Sequence, residues 1–231
     1  MSPMAAATPP VLPAGLVGDR PLELLVLLGA MALVPVALVM LTSFLKMAVV
    51  LSVARSALGA PQVPPSSAVT GLALILTLLV MAPVAEDCWA VASAVPVHGE
   101  GIEATLSRIR QGVEPLRAFL SRQTRAEDRQ TFLELSLELG RSRARPAPGI
   151  EDWAVVAPAF AISELRRAFT MGFLIFLPFL VVDLLVANVL LALGLAQLSP
   201  TSVALPFKLL LFVAADGWRL LARGLVAGYL G

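Results

Sequence analysis

The chain has 231 residues, of which 58% are hydrophobic and 14% charged, and its formal net charge is +1. Soluble domains carry charges on about a quarter of their residues, so this composition indicates a membrane protein. The basic residues are not clustered among aromatic ones, which argues against a nucleic-acid surface. One cysteine and one histidine exclude an intramolecular disulfide and a metal site built only from these two residue types.

Sequence motifs that mark enzymes are missing from the chain. We find no nucleophile elbow, no Walker-type glycine loop, no HExxH pair and no dinucleotide fingerprint. The sequence therefore predicts neither catalysis nor a cofactor.

In chain order, the first predicted elements are a tail and a helical hairpin. Residues 1–21 are rich in proline and alanine and lack the basic start of a cleaved signal peptide, so we predict an N-terminal tail. Residues 22–85 hold two apolar blocks, each long enough to reach across a hydrocarbon core. Three prolines between residues 59 and 67 favour a turn, so the blocks are predicted to form a hairpin, with a kink at Pro35.

The next segment, residues 86–165, has the character of a water-facing domain. It holds most of the acidic residues and nine arginines, and its apolar residues recur at helical spacing. Two or three short amphipathic helices are predicted, one of them opened by a capping box from Thr124 to Glu127. A segment of about 80 residues can be translocated whatever its arginine content, so we predict an extracytoplasmic domain.

The last segment, residues 166–231, is predicted to form a second helical hairpin. Apolar sequence runs from Phe169 to Leu198, which is too long for one untilted span, and Pro178 favours a kink within it. A turn at residues 197–200 leads to the final apolar stretch. The predicted fold is an all-α membrane protein in which two long kinked helical hairpins flank a small helical soluble domain.

Four ionisable residues lie in or at the edge of the apolar runs, and such residues mark functional sites in membrane proteins. They are Lys46, Asp183, Lys208 and Asp216. Eight positions separate Lys208 from Asp216, about 12 Å along a helix, so the two cannot readily neutralise each other. Their partners must lie on other segments, on other chains or in water.

Each of these residues has a plainer alternative explanation. Lys46 and Lys208 can extend from helix ends to a membrane interface. Asp183 lies near the middle of its run, where a carboxylate needs a lysine such as Lys208, a water-filled cavity or a freed backbone amide. A proton relay is a further alternative for this group.

Short motifs occur in a consistent order and spacing from Leu22 to the C-terminus. They include Leu41-Thr42-Ser43-Phe44, Met81-Ala82-Pro83-Val84, Pro115-Leu116-Arg117, Ser163-Glu164-Leu165, Phe179-Leu180-Val181-Val182-Asp183-Leu184 and Leu205-Pro206-Phe207-Lys208. Together they resemble the FliP/YscR/SctR family, the export-apparatus proteins of flagellar and injectisome type III secretion systems.

This resemblance implies a structural, pore-forming subunit of the export gate, which conducts unfolded proteins across the bacterial inner membrane at the core of the secretion basal body. It also implies a pentamer of this chain, joined by two smaller membrane subunits of the SctS/FliQ and SctT/FliR types. Lys46, Asp183, Lys208 and Asp216 would then make polar contacts between subunits. The missing signal peptide favours the injectisome branch, which is linked to virulence.

One loop departs from the family pattern. Family members often carry consecutive methionines between the last two apolar helices, as a flexible gasket around the conduit. Here that stretch is Leu193-Gly194-Leu195-Ala196-Gln197-Leu198. If this loop closes the pore, Leu195 and Leu198 form a less adaptable aliphatic ring, interrupted by the polar Gln197.

Two other classes of protein stay open from the residues alone. A small secondary transporter also uses proline-broken helices with buried lysine and aspartate, and inverted repeats would support it. We find no convincing inverted repeat. A membrane-anchored binding module would need a larger middle domain with a defined pocket.

Overall fold

A computed structural model describes residues 21–60, 64–95, 102–141, 147–195 and 197–230. These residues form nine α-helices and no strand, which confirms the predicted all-α class. The helices are α1 (Pro21–Met40), α2 (Phe44–Ala57), α3 (Ser66–Ala94), α4 (Ile102–Gly112), α5 (Glu114–Gln123), α6 (Ala126–Arg141), α7 (Trp153–Ala192), α8 (Pro200–Ala214) and α9 (Gly217–Ala227).

The chain divides into two units, Met1–Leu38 and Val39–Gly231, and the functional residues described below lie in the second. Two helices, α3 and α7, are long and apolar enough to cross a membrane. A third span is added if Met31–Met40 and Phe44–Ala57 form one broken span. In the most apolar stretch of 18 residues, 28% of α3 and 11% of α7 are buried within the chain. Most of these two stretches must therefore contact lipid or other protein.

Helix α7 is continuous over 40 residues, or about 60 Å, which is twice the thickness of a hydrocarbon core. Pro158 and Pro178 lie inside it. It therefore runs without a break through the predicted domain boundary after residue 165, and α3 does the same after residue 85. The membrane-directed helices and the middle segment thus share their two longest elements. The extracytoplasmic location of the middle segment stays a prediction.

The middle segment contains the short helices α4, α5 and α6, and its predicted capping box is replaced by a contact from α7. At the C-terminus of α5, the Thr124 hydroxyl donates to the Leu120 carbonyl at 2.7 Å, and the Thr124 amide donates to the same oxygen at 2.9 Å. The Arg125 amide, just before α6, donates instead to Ser163 Oγ at 3.1 Å. Ser163 in turn donates to Asp128 Oδ2 at 2.6 Å, in the first turn of α6.

The main hydrophobic core is built around α2, which packs against α3 and α7. Its fully buried side chains include Met47, Val50 and Leu51. A second cluster joins α3, α5 and α7 around Phe119 and Phe160. Because side chains of α7 belong to both clusters, this helix links the membrane-directed core to the middle segment.

A glycine sets the close approach of α7 to α2. A Cβ added at Gly172 would lie 3.0 Å from Val53 Cγ1 and 3.1 Å from Val53 Cβ, tighter than ordinary contact. Small residues allow this kind of close helix packing in membrane proteins.

We predict that Gly172→Leu lowers the free energy of unfolding by about 1–3 kcal/mol, because Val53 and α2 must move to admit the side chain. The matched control is Gly71→Leu on α3, where a Cβ meets nothing within 4 Å. The control should be neutral or slightly stabilising, since leucine forms helix better than glycine. Denaturant titration in mild detergent measures both variants, and equal losses would contradict the prediction.

Candidate functional site

A cluster of two buried and two partly buried residues joins α2, α7 and the segment after α9. Lys46 Nζ lies 3.4 Å from Glu164 Oε2, and their side chains are 2% and 0% exposed. Arg167 Nη1 contacts the other oxygen of Glu164 at 3.1 Å. The hydroxyl of Tyr229 donates to Glu164 Oε2, and its ring lies under Lys46 with the ammonium 3.4 Å from the centroid. Both buried charges therefore have partners.

The phenol of Tyr229 is suited to this position because it stays protonated. Burial, and next the neighbouring Glu164 carboxylate, raise the pKa of the Tyr229 phenol above its ordinary value. A protonated phenol donates to the carboxylate without adding a second negative charge. Tyr229 also stacks on Phe119 and packs against both hydrophobic clusters, so it anchors the C-terminal end of the chain to the two cores.

A second buried lysine joins three helices. Lys208 on α8 donates to Asp183 Oδ2 on α7 at 2.6 Å and to the carbonyl of Ala57, the last residue of α2, at 3.2 Å. A cation at a helix C-terminus is stabilised by the helix dipole and by the free carbonyls there. Gly59 follows two residues later in a left-handed conformation, with φ 76°, that residues with a side chain rarely adopt. Lys46 and Lys208 are both buried by their own chain, so neither side chain extends outwards to a membrane interface.

One oxygen of Asp183 is left over. Asp183 Oδ1 is buried and has no hydrogen-bond partner among the residues that the structure describes. The Asp183 side chain as a whole is 30% exposed. A carboxylate oxygen without a donor is unusual in an interior, so this atom has capacity for a further contact.

Asp216 lies in a different setting from the two lysines. It is not paired with Lys208; its Oδ2 lies 2.6 Å from Arg219 Nε in an ion pair, and the two side chains are 55% and 78% exposed. Its backbone is left-handed, with φ 51° and ψ 49°, and it joins the end of α8 to the start of α9. Aspartate is one of the few residues besides glycine that adopt this conformation. Within this chain, Asp216 is therefore a turn residue.

The loop that holds the gasket candidates begins with a Schellman motif at the end of α7. Gly194 is left-handed, with φ 71°, and its amide donates to Leu191 at 3.1 Å, while the amide of Leu195 donates to Leu190 at 2.9 Å. This pair of bonds closes a helix end and fixes the direction of the chain that follows. Leu195, Gln197 and Leu198 are exposed. Ala196 lies outside the described residues.

The sequence singled out both lysines and named Lys208 as a candidate partner of Asp183, but it gave no sign that Glu164 and Tyr229 contact Lys46. Glu164 stands two residues before the pair Arg166 and Arg167, which is typical of a solvated helix end. Its burial follows from packing against α2 and the C-terminal end, and no local pattern records that packing. The aromatic character of Tyr229, third from the C-terminus, was the only available signal.

Comparison with known proteins identifies the family of this chain. The FliP family model matches residues 27–225. The chain is 42% identical over 210 residues to "Yop proteins translocation protein R" of Yersinia pestis, covering 91% of this chain and 97% of that one. It is 41% identical over 210 residues to "Hypersensitivity response secretion protein HrcR" of Ralstonia nicotianae, covering 90% and 96%. It is also 42% identical over 207 residues to "Flagellar biosynthetic protein FliP" of Pectobacterium carotovorum, covering 90% and 78%.

The fold and the buried ion pairs define an all-α membrane protein whose apolar helices are tied together by charge. The chain belongs to the FliP family, which confirms the resemblance found in its sequence motifs. It is therefore a component of a type III secretion or flagellar export apparatus.

We predict that Glu164→Ala lowers the free energy of unfolding by about 3–5 kcal/mol, because it leaves Lys46 buried without its carboxylate. Tyr229→Phe keeps the ring and removes only the hydroxyl, so its loss should be smaller, about 1–3 kcal/mol. The control Glu114→Ala breaks an exposed pair with Arg117 and should cost less than about 1 kcal/mol. Unfolding titrations in detergent rank the three variants, and a Glu164 effect no larger than the control would contradict this role.

We predict that Asp216→Gly retains the stability of the natural chain, whereas Asp216→Ala lowers it by about 1–2 kcal/mol, because alanine is strained in the left-handed conformation. Arg219→Ala breaks the exposed ion pair and leaves the backbone unchanged, so it should cost less than about 1 kcal/mol. Thermal unfolding in detergent measures all three. If Asp216→Gly is as damaging as Asp216→Ala, the carboxylate matters more than the turn.

Proposed function

We propose that this protein is a structural, pore-forming subunit of the export gate, without catalytic activity, through which unfolded protein substrates cross the bacterial inner membrane. The observation that carries the proposal is the exposed apolar surface of α3 and α7, most of which no part of the same chain covers. Lipid alone could cover it, but the FliP family places the chain in a multi-component secretion apparatus. Such surfaces are suited to contacts between membrane subunits.

The proposed assembly is a pentamer of this chain at the core of the secretion basal body. Two smaller membrane subunits, of the SctS/FliQ and SctT/FliR types, would complete it. The injectisome branch is favoured because the match covers 97% of the translocation protein of Yersinia and 96% of the secretion protein of Ralstonia. The flagellar relative from Pectobacterium is longer than the matched region, with 78% of its length covered.

Contacts between subunits are proposed at the four ionisable residues selected from the sequence. For Asp183, the support is the buried oxygen Oδ1 that lacks a donor within the described chain. For Asp216, the support is its exposure, which leaves its carboxylate open to a neighbouring chain. Lys46 and Lys208 already hold partners in their own chain, so a neighbour would add to these contacts.

The conduit is proposed to be closed by the loop between α7 and α8. Leu195 and Leu198 are 44% and 49% exposed and so are free to contact the same residues of other copies. A ring of leucines would exclude water and ions through its apolar surface, as hydrophobic constrictions do in channels. Gln197, which is also exposed, would be the single polar member of this ring.

The structure supports a secondary transporter less well than a gate subunit, because its apolar cavity lacks the groups that would bind a solute. The cavity of about 330 Å³ between α2, α7, α8 and α9 is lined by no polar side chain. A solute site needs a few convergent polar groups to orient its ligand.

The assembled complex tests the proposal in two readouts. We expect the protein, co-expressed with its two smaller partner subunits and purified in detergent, to have a native mass that contains several copies of this chain. Reconstituted into vesicles, the Leu195→Ala and Leu198→Ala double variant should leak ions several-fold faster than the natural complex. The matched control is the double variant Leu210→Ala and Val213→Ala, which shortens exposed apolar side chains on α8.

A strict monomer, even with the partners present, would contradict the gate subunit as a whole. An intact oligomer whose leak is unchanged would contradict only the role of the loop. Saturable binding of a small solute would instead favour the transporter.

A further inference from the structure

The last helix, α9, is short and amphipathic. It has 11 residues, about 16 Å, which is too short to span a hydrocarbon core. Leu221 and Leu225 are buried on one side, while Arg219 and Arg223 are exposed on another. The two leucines pack on the chain's own core, and the arginines lie outside this apolar face.

The apolar face of α9 closes one side of the cavity described above. The cavity has a volume of about 330 Å³, which lies in the range of sites that bind small molecules. Its lining includes Val50 on α2, Ile175 and Phe179 on α7, Phe212 on α8, and Leu220 and Gly224 on α9. The interior is therefore suited to hydrocarbon and not to a polar group.

Two arginines flank this opening on α9. Arg219 and Arg223 lie one turn apart, and the helical repeat places Arg223 next to the side occupied by Leu220 and Gly224. Arg219 forms an ion pair with Asp216, whereas no carboxylate among the described residues pairs with Arg223. Trp218 lies towards the other side of the cavity-lining face, with its ring edge against Phe212 at 5.1 Å between centroids. Tryptophan is enriched at membrane interfaces because its ring is largely apolar while its N–H group is polar.

We propose that this cavity binds an acyl chain of an anionic phospholipid, whose phosphate is held by Arg223 with help from Arg219. Guanidinium groups bind phosphate through paired, charge-assisted hydrogen bonds. A zwitterionic lipid would place its own cation beside the two arginines, and a helix of another chain would leave them without an anion unless it brought a carboxylate to the same edge. An anionic lipid satisfies the apolar cavity and the basic rim together.

Lipid titration followed by native mass spectrometry of the full-length protein tests the charge requirement. Delipidated protein is titrated with phosphatidylglycerol and with phosphatidylcholine of the same acyl chains. We expect phosphatidylglycerol to bind roughly tenfold more tightly or better, because the arginines attract the anionic headgroup. The double variant Arg219→Gln and Arg223→Gln should remove this preference, and the control Arg122→Gln, an exposed arginine on α5, should keep it.

A second pair of variants tests the cavity. A Cβ added at Gly224 has Met171 Cε at 4.0 Å as its nearest atom, so a longer side chain can enter the cavity without meeting backbone. Gly224→Leu should weaken binding of both lipids by roughly tenfold or more, because it occupies the space of the acyl chain. Gly224→Ala fills almost none of that space and should bind as the natural protein does. Gly217 cannot serve here, since a Cβ there would lie 2.2 Å from the Phe212 ring.

The two tests fail in different ways. Equal affinity for the two lipids, unchanged by the arginine variant, would overturn the anionic site. If Gly224→Leu dissociates the oligomer while phosphatidylglycerol binding is unchanged, another protein chain fills the cavity and the proposal is wrong. The arginine variant changes only exposed side chains, so its result stands even if Gly224→Leu fails to fold.

Discussion

The structure of this protein depends on the removal of Lys46 and Glu164 from water. Each buried ion loses several kcal/mol of hydration, and only a close, fully hydrogen-bonded partner restores it. The chain meets this demand with four groups, since Arg167 takes the second oxygen of Glu164 and Tyr229 contacts both members of the pair. A shift of α2 along α7 by one turn would separate the charges, so this contact fixes the register of the two helices that form most of the core.

The second buried lysine constrains the opposite end of the same helix. Lys46 lies in the first turn of α2, and Lys208 binds the carbonyl of Ala57 at its last residue. The 14-residue helix is thus held at both ends by charged contacts, with fully buried Met47, Val50 and Leu51 between them. Tyr229, which follows α9, completes the first of these contacts, so the segment after α9 takes part in the core.

The sequence predicts the class of the fold well and the local geometry of the site less well. Long apolar runs identify α3 and α7 because a membrane span needs length and hydrophobicity, both of which are read directly from residues. The burial of Glu164 could not be predicted, because the arginines after it suggest a solvated surface. The turn at Asp216 was also missed: one left-handed residue divides an otherwise apolar stretch into α8 and α9, and hydrophobic periodicity does not record a single φ angle.

The break between α8 and α9 at Asp216 changes the structural role of its carboxylate. As part of one continuous helix, Asp216 would be a buried carboxylate in need of a distant partner. As a turn residue it is exposed, and the charge that does require a partner in the apolar region is that of Lys208. Because Lys208 joins α8 to Asp183 on α7, the loop between these helices is bounded on both sides by elements that share one ion pair. A displacement of α8 that keeps this pair intact must carry with it the part of α7 that holds Asp183. Pro178 lies just before that part and removes one helical hydrogen bond, so it is the position in α7 where such a movement meets the least backbone resistance.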